Sequence, residues 1–174
     1  MKKLLKSDLI YKGKVVNLYL EDVEYNGMKL TREVIRHNGG AGILAEKDGK
    51  FVFVSQYRHP FGDLFLEIPA GTRDGDEAGE RTAYRELIEE CGLKAKKLHF
   101  ICDYAVSPGY TSEVLNLFYA NDFELAEQHF DDDEDLSLVW IDKQKCIDMA
   151  LNGEIKDGKT MLALLWYIAK FGRN

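Results

Sequence analysis

Between Gly71 and Leu93 the chain reads GTRDGDEAGERTAYRELIEECGL, with four charged residues, Arg85, Glu86, Glu89 and Glu90, set within six positions. From about Asp76 to Cys91 the segment is predicted helical, because Ala83, Leu87 and Cys91 recur at four-residue steps as a stripe fit for burial. Gly92 stands where a helix favours a left-handed residue after its last turn. On such a helix Glu86, Glu89 and Glu90 fall at i, i+3 and i+4, so their carboxylates share a face. Three like charges there are unfavourable unless a cation neutralises them. Hard oxygen ligands at this spacing suit Mg²⁺ or Mn²⁺, ions that bridge a few carboxylates and substrate phosphates. Arg85 and Glu77, eight residues apart, do not adjoin on the face, but an ion pair between them could brace the loop–helix junction while Arg85 steadies the glutamates. Read alone, RELIEE is also what a solvated acidic helix looks like.

The wider pattern separates those two readings. The skeleton G-x5-E-x7-R-E-U-x-E-E-x-G-U, with U apolar, is filled by Gly71, Glu77, Arg85, Glu86, Leu87, Glu89, Glu90, Gly92 and Leu93. At these residues the chain resembles the Nudix hydrolases. Outside the box it resembles the family's ADP-ribose pyrophosphatase branch, through Gln56-Tyr57-Arg58, Leu66-Glu67-Ile68-Pro69-Ala70-Gly71, Ser107-Pro108-Gly109-Tyr110-Thr111-Ser112-Glu113 and Gly153-Glu154-Ile155-Lys156-Asp157-Gly158-Lys159-Thr160. The resemblance implies Mg²⁺-dependent hydrolysis of ADP-ribose to AMP and ribose 5-phosphate, with about two or three metal ions (Mn²⁺ also serving) acting on the diphosphate. It implies that the Ala70 backbone oxygen, Glu86 and Glu90 hold metal, with Glu89 close by. Arg58 would contact phosphate or stack on the base, since a planar guanidinium does both. Arg32, Ser107, Gly109 and Glu113 become substrate candidates, Glu113 for a ribose or the metal shell; as a strand-start charge it would equally be solvated.

The run Asp131-Asp132-Asp133-Glu134-Asp135 has two readings. Composition gives a solvated acidic turn. The resemblance places a catalytic glutamate ahead of the final strand, matching Glu134, which would take the proton of the attacking water. Asp132 stands where the branch often has another glutamate, leaving Glu134, Asp132 and Glu89 as the candidate bases. The resemblance also admits GDP-mannose or another nucleoside diphosphate sugar as substrate, and a non-catalytic ligand-sensing domain. Glu86, Glu89 and Glu90, all present, speak against the latter.

These residues need elements to position them. Val15–Tyr25 and Met28–Ile35 flank Asn26-Gly27, a strong hairpin signal. Residues 1–38 are therefore expected to form a small antiparallel β ribbon that must find a partner surface. A homodimer, with the ribbon packed against or swapped onto a second copy, would supply one. Residues 39–174 are expected to form the catalytic domain. In it, the glycines of Gly39-Gly40-Ala41-Gly42 mark linker or close strand packing, because no P-loop Lys-Ser/Thr follows. A strand over Ile43–Glu46 turns at Asp48-Gly49 into Phe51–Gln56, and a short strand over Leu64–Ile68 leads to the box. After the helix come strands over Lys97–Tyr104, Glu113–Ala120 and Leu136–Ile141, then helices over Lys143–Asn152 and Thr160–Phe171. This order predicts an α/β fold, and the resemblance makes it an α/β/α sandwich with a mixed sheet. His99, on an apolar strand, is expected to be packed; neither it nor His37 or His59 has partner spacing for chemistry.

Composition sets outer limits. A chain of 174 residues with 45% apolar content suits one globular domain with a small appendage. A net charge of −7 argues against a nucleic-acid surface, yet not against an anionic substrate, since metal can carry the attraction. Cys91, Cys102 and Cys146, odd in number and without ligand spacing, are expected to be reduced thiols of a cytoplasmic protein. No secretory h-region is expected in MKKLLKSDLIYKGK, and the apolar patch Met161–Ala169 is too short to span a bilayer.

Overall fold

A computed structural model of the chain describes residues 2–128 and 136–172. They form two compact units, one running to Gly39 and including Ala105–Val114, the other made of Gly40–Tyr104 and the chain from Leu115 on.

The first unit is a three-stranded antiparallel sheet of β1 (Lys3–Lys12), β2 (Asn17–Tyr25) and β3 (Met28–Arg36), in that order. Asn26 and Gly27 join β2 to β3 with φ of 52° and 76°, the left-handed pair that a two-residue hairpin turn needs. Strand β1 was not expected from sequence. Its register on β2 slips between Leu4 and Lys6 and again between Leu9 and Tyr11, and such bulges break the alternation by which a strand is read. Leu4, Leu5, Leu9, Ile10, Tyr11 and Val15 are exposed in this unit. The Ser107–Thr111 turn docks on the end of β3: Ile35 N–H donates to the Tyr110 carbonyl at 2.7 Å, and Ser112 N–H donates to the Ile35 carbonyl at 2.9 Å.

The second unit is built on a sheet ordered β12 (Leu136–Asp142), β5 (Lys50–Arg58), β4 (Gly40–Lys47), β10 (Val114–Ala120), β9 (His99–Ala105), with β6 (Asp63–Glu67) paired to β5 and β7 (Ala70–Thr72) paired to β4. Strands β4 and β10 are parallel, while β4–β5, β5–β12, β5–β6 and β4–β7 are antiparallel, so the sheet is mixed. Strands β8 (Leu93–Ala95) and β11 (Phe123–Leu125) make a separate antiparallel pair.

Side-chain alternation splits the core into two layers. Ala41, Ile43, Val52 and Phe118 pack with Ala83, Leu87 and Cys91 of α1 (Gly79–Cys91). From the other face Leu44, Phe51, Phe53 and Leu117 pack with Cys146 and Ala150 of α2 (Lys143–Leu151) and Ala163, Leu164 and Tyr167 of α3 (Gly158–Phe171). The result is the expected α/β/α sandwich. Of the glycine cluster, Gly39 precedes the strand with φ of 78° and Gly40 to Gly42 lie in it: a Cβ on Gly40 would lie 2.4 Å from the Gly71 carbonyl oxygen, so only glycine lets β4 approach β7 so closely. His99 corrects an expectation, being exposed on β9 and touching Tyr119 by its ring alone. As the last strand of the sheet, β9 has an edge to solvent, which apolar neighbours in sequence do not reveal. Cys91 and Cys146 are buried and all three thiols are free; burial pushes the Cys146 thiol up to about 12. Among the described residues no helix is long and apolar enough to cross a membrane.

Candidate active site

The site grows from the β7–α1 junction. Helix α1 starts at Gly79, three residues later than its sequence pattern suggests, because the residues before it do other work. Glu77 N–H donates to the Asp74 carbonyl in a turn, and the Glu77 carboxylate accepts from Thr82 Oγ1 at 2.9 Å and Arg85 Nη2 at 3.2 Å. Burial works against ionisation of Glu77; the bonds from Arg85 and Thr82 outweigh it and hold the carboxyl below its ordinary range. The helix closes at Gly92 in the left-handed conformation, its N–H returned to the Ile88 carbonyl.

Arg85 ties this junction together. Nη1 donates to Glu86 Oε1 at 2.7 Å and Glu89 Oε2 at 2.9 Å, and Nη2 donates to the Thr72 carbonyl at 3.0 Å. Asp74 is a further, looser partner at 3.8 Å. One guanidinium thus serves four carboxylates; burial opposes its charge, but Glu77, Glu86 and Glu89 outweigh burial and raise its pKa.

Glu86 and Glu90 are 7% and 3% exposed, and burial of that order is rare for glutamates. Glu90 Oε2 accepts the Ala70 N–H at 3.0 Å, fixing the start of β7 against the helix. A Cβ on Gly71 would meet the Glu86 carboxylate at 2.0 Å, so glycine is required where the strand passes the acid. Glu89 is the more open of the three, its side chain 38% exposed. Among the described residues no three His, Cys, Asp or Glu side chains form a ready-made metal cluster. The donor set fits a divalent cation in another way. Mg²⁺ is commonly held by one or two carboxylates, with water and substrate phosphate completing its shell, and here two buried carboxylates adjoin the Ala70–Gly71 backbone.

Arg58, at the end of β5, faces a carboxylate that the sequence reading passed over. Nε and Nη2 donate to Glu67 Oε1 and Oε2, each at 2.5 Å. Glu67 is 2% exposed and also accepts from Lys159 Nζ, which in turn donates to Asp157 Oδ1 at 3.1 Å. Asp157 caps α3 through Thr160 N–H, and Thr160 Oγ1 accepts the Ile68 N–H at 2.8 Å. Burial opposes ionisation of Glu67, but Arg58 and Lys159 prevail and hold its carboxyl low. The Arg58 guanidinium is raised first by its bond to Glu67, then by Asp157 and Glu90, so it stands within electrostatic reach of Glu90 on α1. Glu67 and Lys159 lie in the quoted motifs, but ninety-two positions separate them, and nothing local in either predicts the pairing.

The remaining candidates lie in the first unit. Arg32, exposed on β3, donates to the Thr31 carbonyl at 3.3 Å. The Ser107 carbonyl accepts from Tyr110 and Thr111 N–H, and space around Gly109 is open. Glu113 lies 3.9 Å from His37 Nδ1, which accepts the Gly39 N–H at 2.9 Å. The structure therefore gathers Ala70, Arg85, Glu86, Glu89 and Glu90 at one junction, with Arg58 in reach of Glu90, and sets Glu113 beside His37, with Ser107 and Gly109 in the turn that precedes Glu113. Asp132 and Glu134 lie outside the described residues.

The chain is similar to known proteins along most of its length. The NUDIX domain family matches residues 36–164. An ADP-ribose pyrophosphatase of Bacillus subtilis is 37% identical over 93% of this chain and 90% of its own length. A methanol dehydrogenase activator of Bacillus methanolicus is 34% identical over the same shares, and a GDP-mannose pyrophosphatase of Yersinia pestis is 30% identical over 83% of this chain and 78% of its own. A crystal structure of an ADP compounds hydrolase superposes with a TM-score of 0.86, covering 99% of this chain and 97% of that one at 22% identity, which speaks to fold alone. With a matched domain spanning the whole Arg85–glutamate junction and relatives aligned along nearly the full chain, this protein belongs to the NUDIX family.

Proposed function

We infer that the protein hydrolyses the diphosphate bond of ADP-ribose, giving AMP and ribose 5-phosphate. The observation that carries the chemistry is the pair of buried carboxylates, Glu86 and Glu90, set against the Ala70–Gly71 backbone; the substrate is supported by the Bacillus subtilis relative. Glu86, Glu90 and the Ala70 carbonyl would hold Mg²⁺, with Mn²⁺ as substitute. A bound divalent cation supplies charge neutralisation at the diphosphate and an acidified water.

The chain's own residues do the rest. Arg85 holds Glu86 and Glu89 in place through its Nη1 hydrogen bonds. Arg58 meets a phosphate or the base, and Arg32, Ser107, Gly109 and Glu113 are the further candidates for substrate contact. Glu134, or else Asp132 or Glu89, takes the proton as the water oxygen bonds to phosphorus and the bridging P–O bond breaks, its electron pair leaving with the other phosphate. Catalysis is mainly positioning and charge stabilisation.

A homodimer through the first unit is supported by its exposed Leu4, Leu5, Leu9, Ile10 and Tyr11; a monomeric mass by light scattering at micromolar concentration would oppose it. Free cysteines support a cytoplasmic location. A panel of nucleoside diphosphate sugars with Mg²⁺, read by chromatography of the products, tests the substrate. The Yersinia relative makes GDP-mannose the second reading, and much faster turnover of GDP-mannose than of ADP-ribose would put it first.

A further inference from the structure

The Arg58–Glu67–Lys159–Asp157 cluster is a ladder of alternating charge that the hydrolytic chemistry does not itself require. It runs from the end of β5, across the end of β6, to the N-cap of α3. A guanidinium has five N–H donors, and Glu67 takes two of them, on Nε and Nη2. That leaves both N–H groups of Nη1 and one of Nη2, on a side chain still 39% exposed. A side-on bidentate pair fixes the plane of the guanidinium as well as its place. Lys159 completes the arrangement by donating to Glu67 Oε2, the oxygen that also accepts from Arg58 Nη2. It is 8% exposed, held also by Asp157, and anchored on α3. Glu67 is thereby tied to the start of α3, so an anion drawing on Arg58 works against a carboxylate that is already held.

We propose that Glu67, braced by Lys159, is the positioning residue for Arg58, aiming the outer edge of its guanidinium at an anionic group of the nucleotide sugar. The proposal rests on the reading of Arg58 as a substrate contact. It makes the first turn of α3, remote in sequence from the box, part of the recognition apparatus. Glu67 touches no reacting atom.

An amide cannot replace this carboxylate. It offers one acceptor, while its NH₂ would face an N–H of Arg58 or the Lys159 ammonium. The experiment is a double-mutant cycle with Glu67→Gln and Arg58→Ala, reading the Kd of ADP-ribose by calorimetry in EDTA, with Tm measured on every variant. Glu67→Gln is expected to weaken binding by about tenfold in the wild-type background and by less than about twofold in Arg58→Ala, as coupled residues do. At saturating ADP-ribose and Mg²⁺, kcat should fall by less than about threefold, the pattern of lost uniform binding. An equal loss of affinity in both backgrounds would make Glu67 a merely structural group and overturn the proposal. Wild-type affinity in Arg58→Ala would refute the Arg58 reading and the proposal with it. If ADP-ribose fails to bind the wild-type protein, the substrate reading fails separately, and the same cycle with GDP-mannose decides the role of Glu67. Should Glu67→Gln not fold, Glu67→Asp, which keeps the charge but shortens its reach, takes its place with the same expectations.

Discussion

Two clusters of charge in the second unit follow opposite rules. Around Arg85, one guanidinium is shared by Asp74, Glu77, Glu86 and Glu89. Around Glu67, cations and anions alternate one for one through Arg58, Glu67, Lys159 and Asp157. The first arrangement is rich in acid in a partly buried place, where like charges repel more than they would in water. Such a surplus is tolerable in a folded protein if a further cation belongs there. The second is neutral in sum, and a neutral buried network fixes geometry. Acid surplus marks where this chain would receive a cation; balance marks where it fixes the aim of one side chain.

The sharpest way to break that contrast is Glu90→Gln. The amide oxygen can still accept the Ala70 N–H, so the fold should survive with an unchanged or slightly raised Tm. Activity with ADP-ribose and Mg²⁺ should fall by at least about a hundredfold, the scale of ~3 kcal/mol of transition-state stabilisation. Near-wild-type turnover would remove Glu90 from the metal site. Next comes the base. Glu134→Gln should lower kcat by between about ten- and a thousandfold with little change in substrate affinity, and Asp132→Asn should matter less. If both keep full kcat in steady-state assays, the proton acceptor belongs to α1, and Glu89→Gln is the variant to make.

Much of this contrast can be read from sequence, and the rest is hidden for physical reasons. The acid-rich cluster is local: Arg85, Glu86 and Glu89 lie within one and a half turns of a helix, and Glu77 is a loop away. The hairpin turns at Asn26-Gly27 and Asp48-Gly49 are local too, since positive φ demands particular residues. The balanced cluster is tertiary. Its members come from β5, β6 and the start of α3, and each charge read alone looks like an exposed one. Strands β7, β8 and β11 have three residues each, too few to show a period. Strand β1 is long, but its two bulges disrupt the alternation. Sequence thus exposes the cluster rich in acid and conceals the one whose charges are balanced.

Divalent cations provide a gentler probe of the same difference. A ligand that binds only the folded state at a hundred times its Kd adds about 2.7 kcal/mol of stability. For a domain of this size that is roughly 5–10 °C in Tm. Mg²⁺ should therefore raise the Tm of the wild-type protein, and Glu90→Gln should lose most of the shift. Glu67→Gln, which alters only the balanced cluster, should keep it. An equal Mg²⁺ shift in the wild-type protein and in Glu90→Gln would place the cation elsewhere.

Acid separates the clusters with the smallest effect. The Glu67 carboxyl is held below its ordinary range in the folded protein by Arg58 and Lys159, against the opposing pull of burial. Unfolded, it returns to about 4.3. A carboxyl with a depressed folded pKa takes up its proton more readily in the unfolded chain, so its contribution is complete above about pH 5 and declines as pH falls below the unfolded value. Breaking a buried pair costs several kcal/mol, but Arg58 is more than one-third exposed, and solvent screening brings the expected contribution at neutral pH down to about 1–2 kcal/mol. Urea unfolding of the wild-type protein and Glu67→Gln at pH 7 should show that gap, and it should narrow steadily from pH 5 to pH 3 as protons neutralise the wild-type carboxylate. Ionic strength should change the gap little, because the Lys159 side of the pair is buried and poorly reached by salt. A gap that stays constant from pH 7 to pH 3 would mean that Glu67 supports the fold by its shape and hydrogen bonds alone, and the alternating charges around it would lose their energetic meaning.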